Sequence, residues 1–243
     1  DENKTLETYT SVVQTLLEQG NDKNTQLIAL GGGTITDITS FIGATYKRGI
    51  DTYLVPTTLL SMVDATIGGK CGVNFGEVKN QIGCFLKKSI VCIEPTFLST
   101  LSERQILSGV AEMLKIALVC DFELFEKMIQ LSPLEIGQNK EYINKCIKLK
   151  QSVVKQDPFD KNYRHILNFG HTIGHALESI AMKKGEDLLH GEAVASGMYY
   201  TLGLCKNLSK QTTNRIKQYI EKYYKIQPIN DVQERLNYMN SDK

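Results

Sequence analysis

The chain has 243 residues, 42% of them hydrophobic, and its 28 Lys and Arg nearly balance 27 Asp and Glu, for a net charge of +1. That length and apolar content support one or two domains with a real core, and the near-neutral balance leaves no electrostatic footprint for nucleic acid or an anionic membrane surface. No stretch reaches the roughly 18 apolar residues of a membrane span. Asp1–Lys4 has neither the basic nor the apolar region of a signal peptide, so a cytoplasmic protein is expected. The sequence starts without Met and stops abruptly at Ser241-Asp-Lys243, which suggests a piece of something longer.

In chain order, Leu6, Tyr9, Val12, Val13, Leu16 and Leu17 mark a helical face over residues 4–19 that stops at Gly20. Asn21–Asn24 is a polar turn. Gln26–Leu30 reads as a short buried strand ending in Gly31-Gly32-Gly33, followed by a helical pattern from Thr34 to Tyr46 that closes at Lys47-Arg48-Gly49. Thr52–Val55, stopped by Pro56, and Val91–Ile93 are further strand candidates. Alternating strands and helices predict an α/β domain with a Rossmann-like, doubly wound parallel sheet over residues 1–97. From Pro95 onward helical periodicity dominates, over 103–119, 122–130, 139–156, 166–182, 191–208 and 212–224, which predicts an all-α domain over 98–243.

Several groups carry potential chemistry. A strand, a glycine triplet and a helix start in succession bring backbone N–H groups close to a phosphate, although such a triplet also makes an ordinary tight turn. Asp37, one turn into that helix, either meets a ligand or favours the positive helix start. Pro56-Thr57-Thr58 follows the next strand, and Asp64, Gly68-Gly69-Lys70 and Lys79-Asn80 come shortly after. Lys70, Lys79 and Arg48, read as lying near the carboxyl ends of strands, suit an anionic ligand, although single surface lysines are usually solvated. Glu112 and Lys115 share a helix face and form either a plain salt bridge or part of a ligand set. All four histidines, His165, His171, His175 and His190, fall within 26 residues, which favours a metal site over a structural role. His171 and His175 have the four-residue spacing of helical chelation, His190 can complete a site, and spacing alone does not decide whether both of the first two bind. Gly170 and Gly174 cost a helix stability and need a reason such as close approach. Lys150, Arg164 and Asn168 add polar groups near the same helix. Cys71, Cys84, Cys92, Cys120, Cys146 and Cys205 contain no Cys-x-x-Cys and read as reduced, buried thiols.

These blocks, taken in order, resemble the 3-dehydroquinate synthase family. They are Leu30-Gly-Gly-Gly33 with Asp37, Lys47-Arg-Gly49, Val55-Pro-Thr-Thr-Leu-Leu60, Met62-Val-Asp-Ala-Thr-Ile-Gly-Gly-Lys70, Lys79-Asn80, Ala111-Glu-Met-Leu-Lys115, Leu167-Asn-Phe-Gly-His-Thr-Ile-Gly-His-Ala176 and Leu189-His-Gly-Glu-Ala-Val194. The resemblance implies a zinc (or cobalt) site of Glu112, His171 and His190, with His175 facing substrate. It implies NAD against Lys4, Gly31, Gly32, Gly33, Thr34, Ile35, Thr36, Asp37, Thr57, Thr58, Lys70, Lys79, Phe97, Leu98, Ser99 and Thr100. Substrate groups would be Arg48 (toward a partner subunit of a homodimer), Asp64, Lys70, Asn80, Lys115, Lys150, Arg164, Asn168 and His175. The implied reaction acts on a phosphorylated sugar acid: transient oxidation by NAD, β-elimination of phosphate, return of the hydride, ring opening and intramolecular aldol closure.

The sequence departs from the family pattern at its ends. The opening β-α segment is expected to be missing, Asp1 stands where the family has Glu, and the Asp-Lys-Lys near the substrate phosphate is cut at Asp242-Lys243. Val73-Asn-Phe-Gly-Glu-Val-Lys79 also has the flavour of sugar phosphate cyclases that make other carbocycles. Alternatives are such a cyclase, a metal-dependent polyol dehydrogenase that would release NADH, and an inactive fragment. A zinc hydrolase is disfavoured by the lack of His-Glu-x-x-His.

Overall fold

The computed structural model describes residues 3–76, 78–86 and 89–229. The chain divides into two compact units, Asp1–Leu101 and Ser102–Lys243. No helix among the described residues is long and apolar enough to cross a membrane.

The first unit is α/β. Helix α1 (Leu6–Glu18) is capped by Thr5, whose hydroxyl accepts from Thr8 N at 3.2 Å. Strands β1 (Leu27–Gly31), β2 (Thr52–Pro56) and β5 (Ile90–Val91) form a parallel sheet in the order β1-β2-β5, and α2 (Gly33–Thr45) is the crossover from β1 to β2. Ile38, Phe41 and Ile42 of α2 enter a core with Tyr46, Ile50, Cys71 and Val73, flanked by Leu6, Tyr9 and Val13 of α1. The strand expected at Gln26–Leu30 is present, but it is not buried on both faces. Ala29 is covered, whereas Ile28 and Leu30 are 69% and 59% exposed, so one face of β1 is open among the described residues.

An antiparallel pair of strands that hydrophobic periodicity does not reveal follows: β3 (Lys70–Phe75) pairs with β4 (Val78–Phe85). Its strands are short of alternating apolar residues and interrupted by Gly72 and Gly83, which lie opposite each other.

The second unit is helical: α3 (Glu103–Cys120), α4 (Phe122–Met128), α5 (Pro133–Gln138), α6 (Lys140–Gln156), α7 (His171–Lys184), α8 (His190–Leu202) and α9 (Lys210–Tyr223). Helix α5 is a six-residue element opened by Ser132 and Pro133, too short for a periodic signal. The helix expected over 166–182 begins only at His171, because Tyr163–Asn168 is a 3-10 turn and Gly170 stands in front of α7 in a left-handed conformation, φ +79°. The helix expected over 191–208 ends at Leu202.

Close packing of α7 on α8 answers the question raised by the glycines. A Cβ on Gly197 of α8 would lie 1.9 Å from the Gly170 carbonyl oxygen, and one on Gly170 would lie 2.7 Å from Met198 N. Both neighbours are backbone and cannot step aside. Gly197→Ala is therefore expected to destabilise the second unit by about 3 kcal/mol or more. The check is the midpoint of urea unfolding, and an unchanged midpoint would refute this packing.

Candidate metal centre

In the first unit, Gly31, Gly32 and Gly33 carry the chain from the carboxyl end of β1 into α2. Thr57 and Thr58 leave the adjacent carboxyl end of β2. Thr57 N donates to the Gly31 carbonyl at 2.9 Å, and a Cβ on Gly32 would lie 3.1 Å from Thr58 Cγ2, so the two turns touch. Two polar turns at adjacent parallel strand ends beside a helix start are an arrangement with the chemistry to receive a phosphate. Thr34, Ile35 and Thr36 fill the first turn of α2.

Asp37 is already engaged. The ammonium of Lys4 pairs with it and donates to Asn80 Oδ1 at 2.6 Å, which draws Lys4, Asp37 and Asn80 into one cluster. Asp64 lies in a wide helical turn, Ser61–Ala65, after β2. Lys70 opens β3 and Lys79 lies on β4, while Phe97, Leu98, Ser99 and Thr100 form a 3-10 turn after β5. Arg48 is not near the carboxyl ends of strands. It sits exposed before β2, at that strand's amino end, in a left-handed turn with φ +67° for Arg48 and +49° for Lys47.

The second unit assembles the histidines. Glu112, at the middle of α3, is fully buried. Its Oε2 pairs with Lys115 Nζ at 2.7 Å, and Lys115 also donates to the Leu167 carbonyl at 2.8 Å. Oε1 faces Nε2 of His171 at 3.3 Å and Nε2 of His190 at 3.4 Å. One ligand atom from each of Glu112, His171 and His190 lies within 4.8 Å of the others. His171 and His190 are the first residues of α7 and α8, so the close packing of these two helices brings their rings together, with centroids 5.4 Å apart.

The outer nitrogens of both rings are occupied. His171 Nδ1 lies 3.3 Å from the Phe169 carbonyl, and His190 Nδ1 lies 3.0 Å from Glu178 Oε2. This leaves both Nε2 atoms aimed at the Glu112 carboxylate, the arrangement by which an outer acceptor orients a metal-binding imidazole. Neither Glu112 oxygen accepts a regular hydrogen bond among the described residues, although buried carboxylates normally do. Two imidazoles and one carboxylate around such a group fit zinc or a similar divalent cation. A second set, His175, Glu178 and His190, is also compact, but a cation there would have to break the Glu178–His190 contact.

The charges are tuned to match. Burial opposes ionisation of Glu112, but Lys115 and His171 outweigh it and hold the carboxyl well below the usual range. Burial lowers the pKa of His171, against the pull of Glu112. Burial acts the same way on His190, but Glu178 and Glu112 flank that ring and push it up to about 10. A cation arriving at His190 Nε2 must displace a proton.

Among the remaining expectations, His175 lies beside the set, its ring 5.2 Å from that of His171 and 6.1 Å from that of His190. Lys150 on α6 and Arg164 before α7 are buried, while Asn168 is exposed. His165 does not join the cluster; it is exposed, with Nε2 3.0 Å from the Asp160 carbonyl.

Two residues went unread in the sequence. Glu178 is buried on α7, and the i, i+4, i+7 row His171, His175, Glu178 would have flagged it. Asp157 follows α6, where Asp before Pro signals a turn. Its carboxylate accepts from Lys161 N at 3.0 Å, Asn162 N at 2.7 Å and Arg164 N at 3.1 Å, so it fixes the loop leading to Arg164. Those backbone donors, Lys161 first, lower its pKa to about 2.

Glu178→Gln is expected to weaken zinc binding about 10- to 100-fold while leaving the helical fold intact, because Gln keeps the shape but not the charge behind His190. Competition against a chromogenic chelator, with circular dichroism as control, measures it. Unaltered affinity would remove Glu178 from the site. Zinc uptake at neutral pH is also expected to release protons, His190 contributing most, which calorimetry in buffers of different ionisation enthalpy would detect.

Comparison with known proteins identifies the family. A family model described as 3-dehydroquinate synthase N-terminal matches residues 1–108, and one described as 3-dehydroquinate synthase C-terminal matches residues 109–243. The 3-dehydroquinate synthase of Sulfurovum sp. is 41% identical over 243 residues, covering 96% of this chain and 69% of that protein. That of Parabacteroides distasonis is 39% identical over 229 residues, covering 92% and 65%, and that of Thermoanaerobacter pseudethanolicus is 43% identical over 209, covering 84% and 58%. The chain thus spans 58% to 69% of the length of these relatives. Among solved structures, ValA, a 2-epi-5-epi-valiolone synthase from Streptomyces hygroscopicus with NAD+ and Zn2+ bound, superposes with a TM-score of 0.88 at 28% identity, covering 99% of this chain and 69% of that one. A 2-deoxy-scyllo-inosose synthase complexed with carbaglucose-6-phosphate, NAD+ and Co2+ gives 0.83 at 28%, covering 100% and 68%. Glycerol dehydrogenase from Schizosaccharomyces pombe, at 0.65 and 18%, covering 98% and 66%, shares the fold alone. With its two halves matched in sequence by the two family models, this chain belongs to the 3-dehydroquinate synthase family.

Proposed function

We propose that the chain carries the machinery of a 3-dehydroquinate synthase, converting 3-deoxy-D-arabino-heptulosonate 7-phosphate to 3-dehydroquinate and phosphate. The observation that carries this reading is the convergence of Glu112, His171 Nε2 and His190 Nε2, with both Nδ1 atoms tied back, in a member of this family. Glu112, His171 and His190 would hold zinc or cobalt. The first unit would hold NAD at Gly31–Gly33, the first turn of α2, Thr57, Thr58, Lys70, Lys79 and Phe97–Thr100, with Lys4 fixing Asp37. When bound, the metal supplies polarisation of a substrate hydroxyl and NAD supplies a hydride acceptor that returns what it takes.

The protein's own groups do the rest. Lys115 and Lys150 are buried ammonium groups, and Arg164 is a guanidinium held by its backbone contact to Asp157. Such groups suit the carboxylate and phosphate of a doubly anionic substrate. His175, beside the metal-facing rings, moves protons during elimination and ring closure. Asn168, Asp64, Lys70 and Asn80 complete the polar contacts to the sugar acid. Arg48, on an exposed turn away from the glycine cradle, is assigned to a second copy of the chain in a homodimer. The setting is cytoplasmic, in keeping with six free cysteines.

The test is phosphate release from 3-deoxy-D-arabino-heptulosonate 7-phosphate with zinc and NAD, while NADH absorbance is followed. Phosphate without accumulating NADH is the expected result. NADH accumulation would instead identify a dehydrogenase. Inactivity of both this chain and a form extended to the length of its relatives would reject the substrate. His171→Ala is expected to abolish metal binding and turnover while leaving NAD affinity within about twofold, since the two ligand sets share no residue. Equal metal content in variant and parent would refute the ligand assignment.

A further inference from the structure

The six cysteines, widely spaced in sequence, are not all isolated in space. Cys71 on β3 and Cys84 on β4 are direct partners in the antiparallel register, and their Sγ atoms lie 3.7 Å apart. Partners in such a ladder have Cα atoms about 4.5 to 5.5 Å apart, inside the window that a disulfide bridges. Bond formation needs Sγ–Sγ to close to about 2.05 Å. The remaining gap of about 1.7 Å is within reach of side-chain rotation. The next pair in the ladder is Gly72 opposite Gly83, where a Cβ would lie 2.5 Å and 2.3 Å from facing carbonyl oxygens, so the two backbones are already drawn together beside the thiols.

We propose that Cys71 and Cys84 are a thiol–disulfide modification site, closed by a low-molecular-weight disulfide at the base of the hairpin that carries Lys70, Lys79 and Asn80. Cys84 is partly exposed and Cys71 is buried, which sets the order of events. The Cys84 thiolate attacks the small disulfide, forming a mixed disulfide and expelling one small thiolate. Cys71 then loses its proton and attacks Cys84 Sγ, and the second small thiolate leaves. Two protein thiols are oxidised by two electrons, and one small disulfide is reduced to two thiols.

Burial, and then the neighbouring Cys84, push the Cys71 thiol up to about 12. Cys71 must lose its proton before it attacks, so ring closure accelerates as pH rises. The closed bond tethers β3 to β4 just beyond Lys70.

The experiment treats the whole chain with glutathione disulfide, blocks remaining thiols by alkylation and maps the peptides by mass spectrometry. The expected product is a linked Cys71–Cys84 peptide that has lost two hydrogens and is restored by dithiothreitol. Exposed Cys92 serves as the control for oxidant reactivity. In Cys71→Ser, Cys84 should stop at the glutathione adduct. In Cys84→Ser, Cys71 should stay a free thiol. If Cys92 is modified while Cys71 and Cys84 stay reduced, or each carries its own glutathione, the proposal fails. That result comes from the parent chain and does not depend on the variants folding, nor on the reaction the enzyme catalyses.

Discussion

The second unit is organised around one buried negative charge. A carboxylate at the centre of α3 is costly to remove from water unless cations or polar groups surround it, and taking away one partner of such a buried set costs about 3 to 5 kcal/mol. Glu112 meets that condition with Lys115 from its own helix and with imidazoles from the first residues of α7 and α8. Each requirement passes outward. Lys115 must reach the Leu167 carbonyl, which fixes the turn before α7. The histidines must converge, so α7 and α8 must pack at backbone distance, and only glycine fits at Gly170 and Gly197. Arg104 ties the start of α3 to Glu192 and Asp187 and so holds the beginning of α8 against the same helix. Compensation of one charge thus dictates much of the helical packing.

The parts of the fold visible in sequence were those with strong, uninterrupted periodicity. The β1-α2-β2 succession and the long helices α3, α6 and α9 follow from apolar spacing and caps. The β3–β4 hairpin did not, because Gly72, Asn74, Lys79, Asn80, Gln81 and Gly83 dilute the two-residue alternation on which a strand is recognised. The apolar pattern runs past the end of α8, because Leu204 and Cys205 continue it after the backbone has turned at Gly203. Leu204 is 78% exposed, so pattern and burial part company there.

For the candidate site, clustering of histidines points to the region where Glu112, His171 and His190 converge, but spacing alone does not rank them. His171 and His175 have the chelating interval, and the carboxylate that His171 Nε2 meets comes from α3, 59 residues earlier than His171. A contact across that separation leaves no local trace: residue chemistry offers Glu112 and His190 as possible ligands, and the family resemblance is what joins them with His171 into one set. Glu178 leaves a trace, a carboxylate on the same helical row as His171 and His175, and is readable once the row is drawn. The pairing of Cys71 with Cys84 is of the non-local kind: thirteen residues of linear separation conceal direct opposition in the ladder.

Asp157 places an acid limit on the loop that presents Arg164. Its three backbone acceptor contacts depend on the carboxylate being charged, and the folded chain holds that charge down to about pH 2, whereas an unconstrained Asp protonates near 3.8. Stability from this source is complete above 3.8 and drains away as pH falls through the interval to about 2. The Asp157 anchor is therefore indifferent to the mild acidification that would protonate an ordinary histidine. It yields only under strong acid, and there it loosens while Arg164 keeps its own charge.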